Sequence, residues 1–488
     1  MEKKAKNKHG FMSMTMYGMG EFFNGGAFVI INAFFIVFMT NAMGIPAYLA
    51  GMIPLVGKVW DAVTDPIMGN ITDRTTSKFG AKRFYILIGA FLSSITFVLM
   101  WLPFSAASVG AEVAFYMVMY CLFSTGFTVL MVPYGGLLPD MVEDYVVRSK
   151  FSNVRMIWST LGSMVCGLVP TFMIKDNTNS TAYLTCAILF GFLFLITSLV
   201  TFVGTWEKDK EPVVVPIKDS FRQAVGVFKS RSFRLFIGIY LTGQCATDFV
   251  SGMAIYYVDV VLNRYQDGML TILMGVLIVS QLIGMLIWGP VMTKTSKRMT
   301  ILIGSPIRII STLGLVFFSF EGAAMIPILI CTAGIGIGNA ATLTSIFAIM
   351  ADMPDVDELI TSVSRPGTVS GMATFARKIS AGLSSGMIGI LLSIVGYDAS
   401  IAQIGERQAV FTQSGIAWIY ILMPVILVVA LLIFGYKFPM SEKEFDVIHK
   451  EIARRKGEDD SVATDEEKRI CEEVTGFAYD ELWNKGNI

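Results

Sequence analysis

Residues 181–204 read TAYLTCAILFGFLFLITSLVTFVG, without one charged side chain. A helix needs roughly 20 mostly apolar residues to cross a bilayer, and this run exceeds that. Working outward in both directions, eleven further runs meet the same standard: 17–43, 47–72, 84–105, 111–139, 152–174, 232–261, 268–293, 299–320, 323–350, 367–395 and 413–437. A closed β-barrel is the only other way to satisfy backbone groups in lipid, and long apolar runs without period-two alternation exclude it. Of the 488 residues, 54% are hydrophobic and 16% charged, against about 25% charged in soluble domains. Mean hydropathy is +0.63. The predicted fold class is therefore an all-α integral membrane protein with twelve transmembrane helices.

Loop charge sets the expected orientation. The even-numbered connections are basic, with Arg74, Lys78, Lys82 and Arg83, then Arg148 and Lys150, then Lys294, Lys297 and Arg298. The odd-numbered ones hold little beyond Lys175, Arg264 and Arg407. Both termini are thus expected in the cytoplasm, with the protein in the plasma membrane. The chain divides into a six-helix half at 1–204, a cytoplasmic loop at 205–231, a second six-helix half at 232–437 and a cytoplasmic tail at 438–488. Two features recur across the divide. Gly69 to Arg83 after the second span is echoed by Gly289 to Arg298 after the eighth, and Pro139-Asp140-Met141 by Ala351-Asp352-Met353. Such internal symmetry is expected where two halves rock around a central site. The tail alternates in charge and reads as a solvated extension with helical pieces near 442–455 and 465–473. The six cysteines are scattered and read as small hydrophobes. A net formal charge of zero gives no reason to expect a nucleic-acid partner.

A charge at bilayer depth costs at least about 2.5–3.5 kcal/mol, so it is a functional hypothesis by default. The second span contains Lys58-Val-Trp60-Asp61-Ala-Val-Thr64-Asp65-Pro66. Asp61 and Asp65 are four apart on one helix face, Thr64 lies beside them, and Lys58 precedes Asp61 by three. Two close carboxylates repel unless a proton or cation lies between them, and hard oxygens suit Na⁺ or H⁺. The alternative is a charge network with Lys58 that only braces helices. Further candidates are Glu21, Arg155, Asp248, Arg308, Arg377 and Lys378. Arg155 and Lys378 are placed to pair with the helix 2 carboxylates or to hold a polar solute, while Glu21 and Arg308 read as helix-end or snorkelling groups.

The stretch Trp60-Asp61-Ala-Val-Thr-Asp65-Pro66-Ile-Met-Gly69 resembles the helix 2 motif of the glycoside–pentoside–hexuronide:cation symporters, in the major facilitator superfamily. Tyr17-Gly-Met-Gly20, Pro133-Tyr134, Ala254-Ile-Tyr-Tyr257 and Ala351-Asp352-Met-Pro-Asp355 match in order and spacing, so that the resemblance covers roughly 15–440. It implies a major facilitator fold and coupling to Na⁺, H⁺ or Li⁺. Carried over by position, the cation site falls on Asp61, Asp65, Thr64, Thr128 and Thr374, with Asp61 and Asp65 as the Na⁺ ligands if that ion is used. The substrate positions are Asn24, Gly25, Met131, Gly135, Arg155 and Lys378, to which the residue reading adds Asp248. The galactoside-gripping acids of the family are replaced by Gly25 and Met131, and its stacking Trp by Gly135. Melibiose itself is therefore not expected. Loss of two acids beside Arg155 and Lys378 points to an anionic sugar such as a hexuronide, with a neutral glycoside as the other reading.

The function expected is secondary active symport of a sugar by alternating access, with no organic cofactor and a monomeric chain. Asp73, Arg74, Asp140, Arg148, Asp352 and Asp355, at helix ends, are the candidate gating residues. The rival is a carrier of another cargo, such as a lysolipid, on the same scaffold. No HExxH, Ser/His pairing or phosphate loop points to an enzyme.

Overall fold

The computed structural model describes residues 10–75, 77–142, 145–207, 225–363, 365–404 and 406–484. Twelve long helices occupy the predicted spans, and no strand occurs among the described residues. The first, α1, comprises Phe11–Gly18 and Gly20–Ile30 and continues through π-helical turns at Ile31–Phe35 and Phe38–Ala42. It is followed by α2 (Ala47–Arg74), α3 (Ala81–Leu99), α4 (Val109–Met141), α5 (Tyr145–Met173) and α6 (Ser180–Gly204). The second six are α7 (Arg231–Tyr256, with a π turn at Tyr257–Val261), α8 (Met269–Lys294), α9 (Lys297–Gly314), α10 (Met325–Thr361), α11 (Pro366–Ile394) and α12 (Val410–Lys437). Eight of the twelve are long and apolar enough to cross a bilayer on that basis alone. The other four are α1, α2, α7 and α11, which are interrupted by π turns or diluted by the charged side chains described below.

Local chemistry sets the ends. Ser108, Asn179 and Ser296 cap α4, α6 and α9 by accepting from backbone N–H groups of the first turn, as small polar side chains do at that position. After α1 and after α7 the chain turns through a left-handed residue, Gly44 (φ 71°) and Asn263 (φ 53°), residue types that tolerate it. Three helices outrun their predicted limits by more than a turn: α1 begins at Phe11, α5 begins at Tyr145, and α10 continues to Thr361 with Pro354 inside it.

Cα proximity divides the chain into two compact units. The first holds Met1–Val215, Ser251–Met274 and Ala381–Ile416, and the second Pro216–Val250, Gly275–Ser380 and Ala417–Ile488. The odd-loop ends of α7, α8, α11 and α12 thus group with α1–α6.

The first unit is built on buried rings. Phe23 stacks on Phe194 at 4.6 Å between centroids and meets Phe127 edge-on at 5.4 Å, geometries that suit the ring quadrupoles. Glycines bring α3 and α4 together: a Cβ on Gly89 would lie 2.6 Å from Leu130 N, and one on Gly126 2.8 Å from Ser93 N. At the odd-loop end, hydrogen bonds tie distant segments of this unit together. Thr40 and Tyr256 share one of 2.8 Å, Tyr397 donates to Asn41, Asn177 donates to Asp259 (2.7 Å), and Tyr265 donates to Ile174 O (2.8 Å).

The second unit repeats the glycine device. A Cβ on Gly304 would lie 2.1 Å from Ala341 Cβ, and one on Gly338 2.6 Å from Arg308 Cβ, where α9 crosses α10. The tail corrects the sequence reading. It folds into α13 (Glu442–Lys456) and α14 (Asp465–Thr475), and these join the unit's core through Ile448, Ile452, Cys471 and Val474. Trp483 N donates to Leu359 O at 2.9 Å, and Ser232 Oγ to Val474 O at 2.6 Å. The alternating charges pair with one another while the apolar stripe between them is buried, so the tail is not a solvated extension.

Candidate functional site

The helix 2 face predicted from spacing exists. Asp61 is fully buried and Lys58 is 4% exposed. Lys58 Nζ lies 3.2 Å from Asp61 Oδ2 and 3.4 Å from the centre of the Phe28 ring. One turn on, Asp65 is half-buried and its Oδ1 accepts a 2.7 Å hydrogen bond from Thr128 of α4. Trp60 Nε1 donates to Thr125 Oγ1 at 2.9 Å, fixing α2 against α4. Gly57 makes the approach possible, because a Cβ there would lie 2.1 Å from the Tyr120 ring. Thr64 donates back to Trp60 O at 3.1 Å, so its oxygen keeps lone pairs for another partner. Asp61, Asp65, Thr64 and Thr128 therefore gather in the first unit. Thr374, exposed on α11, belongs to the second.

Arg155 does not pair with the helix 2 carboxylates. Its Nε donates to Glu21 Oε2 at 2.6 Å, and Asn24 Nδ2 donates to Glu21 Oε1. Arg155 also lies over the Tyr134 ring, 5.3 Å from its centre, and Tyr134 stacks on Tyr17 at 5.0 Å. Sequence reasoning placed Glu21 at a helix end. With α1 starting at Phe11, Glu21 lies ten residues inside the helix and is 5% exposed. The reading of a positive pocket at Arg155 is corrected accordingly, since Glu21 already balances it. Gly25 serves packing: a Cβ there would lie 2.4 Å from Ser159 O, where α1 crosses α5. Met131 is half-buried, and Gly135 is exposed with open space where a Cβ would be. Glu21, Lys58, Asp61, Asp65 and Arg155 bring three formal negative and two formal positive charges into this unit.

In the second unit Arg377 grips Asp248 with two hydrogen bonds, 2.6 and 2.9 Å, the bidentate geometry that favours Arg over Lys. Lys378 is half-buried on α11. Arg308 is 1% exposed and so does not snorkel.

At the even-loop end the two halves of the sequence repeat one construction. Lys82 Nζ donates to Gly136 O (2.7 Å) and Asp140 Oδ2 (2.5 Å). Lys297 Nζ donates to Ala348 O (3.3 Å) and to Asp352. In both, a lysine at the start of a helix bonds an Asp and the carbonyl four residues before it. The next residue repeats as well: Arg83 donates to Phe202 O (2.9 Å) and Arg298 to Tyr436 O (2.6 Å). The recurring Lys-Arg pair was the signal in the sequence for these partners of Asp140 and Asp352. Of the other gating candidates, Asp355 meets His449 of the tail at 3.2 Å, and Arg148 donates to Val142 O. The side chains of Asp73 and Arg74 lie outside the described residues. A buried pair that the sequence did not suggest, Arg365 on Asp357 at 2.7 and 2.9 Å, closes the turn after α10.

The family model described as MFS/sugar transport protein matches residues 16–442. A putative sulfoquinovose importer of Salmonella typhimurium is 26% identical over 454 residues, covering 90% of this chain and 92% of that protein. A glucuronide carrier protein homolog of Escherichia coli is 25% identical over 451 residues, covering 90% and 95%. Among solved structures, a bacterial homolog of the human lysosomal transporter Spinster, inward-facing and unoccupied, superposes with a TM-score of 0.61 at 12% identity, covering 92% of this chain and 98% of that one.

Proposed function

The chain belongs to the MFS sugar-transport family, whose members are multi-pass membrane transporters and not enzymes, and from that premise we propose that it is a cation-coupled symporter of an acidic sugar or glycoside. The observation that carries the reading is the α2–α4 cluster, in which Asp61, Asp65 and Thr128 offer hard oxygens on two membrane helices. Na⁺ or H⁺ on these oxygens removes the repulsion between the carboxylates. The coupling is reciprocal: whatever factor the cation adds to sugar affinity, the sugar adds to cation affinity.

The acidic cargo is supported by the second unit, where Arg377 is held by Asp248 but Arg308 is buried among neutral partners. Two of the relatives are named for sulfoquinovose and glucuronide, sugars that bear an acid group. The Lys82–Asp140 and Lys297–Asp352 pairs act as latches at the basic, cytoplasmic end, where both termini lie, and they break and re-form during alternating access. The plasma membrane is the proposed location.

Uptake into proteoliposomes tests the reading. Labelled glucuronide, sulfoquinovose, a neutral glycoside and a lysophospholipid are compared under Na⁺ and pH gradients. Accumulation of an acidic sugar under one gradient, abolished in Asp61→Asn and Asp65→Asn, is the expected result. Full coupling in both variants removes these residues from the cation site, and transport of only the neutral glycoside or the lysophospholipid removes the acidic cargo.

A further inference from the structure

Arg308 stands in the middle of α9, enclosed by α7, α8 and α10 of its own unit. Its Nη1 donates to Asn339 Oδ1 at 2.9 Å and its Nη2 reaches Thr247 Oγ1 at 3.5 Å, while Nε makes no hydrogen bond. Asn339 is oriented from its other side, because its Nδ2 donates to Gln281 of α8 at 2.9 Å. Its Oδ1 already accepts from Thr247 at 2.7 Å, so its two lone pairs are committed. These partners are neutral. Among the described residues Arg308 forms no ion pair, and both oxygens of Asp248, the neighbour of Thr247, are taken by Arg377. A guanidinium at 1% exposure with only amide and hydroxyl partners leaves a full buried charge unbalanced, a cost of several kcal/mol per ion even after relaxation.

On the two helices that meet at Arg308, hydroxyls are also unsatisfied. Ser305, one turn before Arg308 on α9, and Thr342 and Ser345, which follow Asn339 on α10, are buried and make no hydrogen bond. Gly338 holds the α10 backbone against Arg308. A positive group with an unused N–H, accompanied by three hydroxyl donors, has the composition of an anion site. We propose that Arg308 seats a small anion through Nε, with Ser305, Thr342 and Ser345 completing the shell. The anion is a halide or oxyanion, supplied either free, as chloride, or as the acid group of the transported solute. Arg suits this better than Lys because its planar fork is always charged and weakly hydrated. The site stands on the second unit alone and holds whether or not the cargo is a charged sugar.

Thermal unfolding of the purified full-length protein in sodium HEPES, with sodium held constant, tests it. Chloride, glucuronate and methyl glucoside are titrated in turn. A midpoint raised by chloride assigns a free anion. A midpoint raised by glucuronate, but by neither chloride nor methyl glucoside, assigns the acid group of the solute. In either case Arg308→Gln should weaken the apparent anion affinity about tenfold or more, as loss of a charge-assisted hydrogen bond does, and Arg308→Lys should keep part of it. If Arg308→Gln does not fold, Ser305→Ala with Thr342→Val, which leaves the guanidinium in place, must show the same weakening. Wild-type protein indifferent to both anions, or variants that respond as wild type does, overturns the proposal and leaves Arg308 as a helix brace.

Discussion

If the proposed coupling ion binds Asp61, Lys58 competes with it, and removal of Lys58 should make the chain bind that ion more tightly. The two groups are 3.2 Å apart and 4% and 0% exposed. At an effective dielectric near 20, that separation corresponds to roughly 5 kcal/mol of gross attraction. Desolvation cancels much of it, leaving the net of about 1.5–3 kcal/mol typical of a hydrogen bond to a charged group. A cation that takes Asp61 must supply that energy, so Lys58→Met should lower the half-saturating cation concentration about 10- to 150-fold. The variant also leaves Asp61 buried without its ammonium, so its melting temperature should rise with cation more steeply than that of wild type. Na⁺ and proton titrations of sugar binding on purified wild type and Lys58→Met provide the assay, with Lys58→Met/Asp61→Asn as the fold control. An unchanged or higher half-saturating concentration in Lys58→Met refutes the competition and returns Asp61 to a purely architectural role.

Thr128→Val removes the 2.7 Å donor to Asp65 and should raise the half-saturating cation concentration in uptake assays by about tenfold, with folding unchanged by circular dichroism. Arg365→Met or Asp357→Asn breaks a pair whose side chains are 6% and 4% exposed. Each should cost about 3–5 kcal/mol in denaturant titrations, and the double variant less. The tail should loosen in acid. Thr464 N and the Lys450 and Arg454 side chains hold the Glu467 carboxyl down at about 2, against an ordinary 4.5. Its stabilisation is present above 4.5 and is lost as pH falls from there toward 2. Hydrogen exchange over 442–475 should quicken across that window in wild type and show a flatter profile in Glu467→Gln.

The twelve spans were legible because bilayer crossing is a composition problem: a run either is mostly apolar over about 20 residues or it is not, and α1, α2, α7 and α11 stay so despite the charges they carry. The helix 2 face was legible for a related reason, since positions 58, 61 and 65 fall on one side of any α-helix. Pairing across helices was not. Glu21 and Arg155 are 134 positions apart, and Arg155 had several acids it might have met. Which one it meets depends on how closely α1 can lie on α5, and that is decided by the glycines at 25, 26 and 162. The tail was misread because its charges were counted without asking where their apolar neighbours point. Ile448, Ile452, Cys471 and Val474 recur at helical spacing on the inner faces of two short helices, and burying that stripe outweighs the polar composition.

The two halves of the sequence share their even-loop machinery and differ inside. Lysine, arginine, aspartate and carbonyl recur at the ends of α3, α4, α9 and α10 in the same roles, so a construction that holds helix ends together serves both. The embedded charges do not recur. The α2–α4 cluster gathers the carboxylates Asp61 and Asp65, whereas the second unit buries Arg308 among neutral partners. A buried guanidinium without a carboxylate costs several kcal/mol. Both features are accounted for under the proposed function if a cation binds the α2 carboxylates and an anionic group binds Arg308. Lys58 then has a defined part: it satisfies Asp61 when no ion is bound, and it keeps the ion's affinity low enough for the ion to leave.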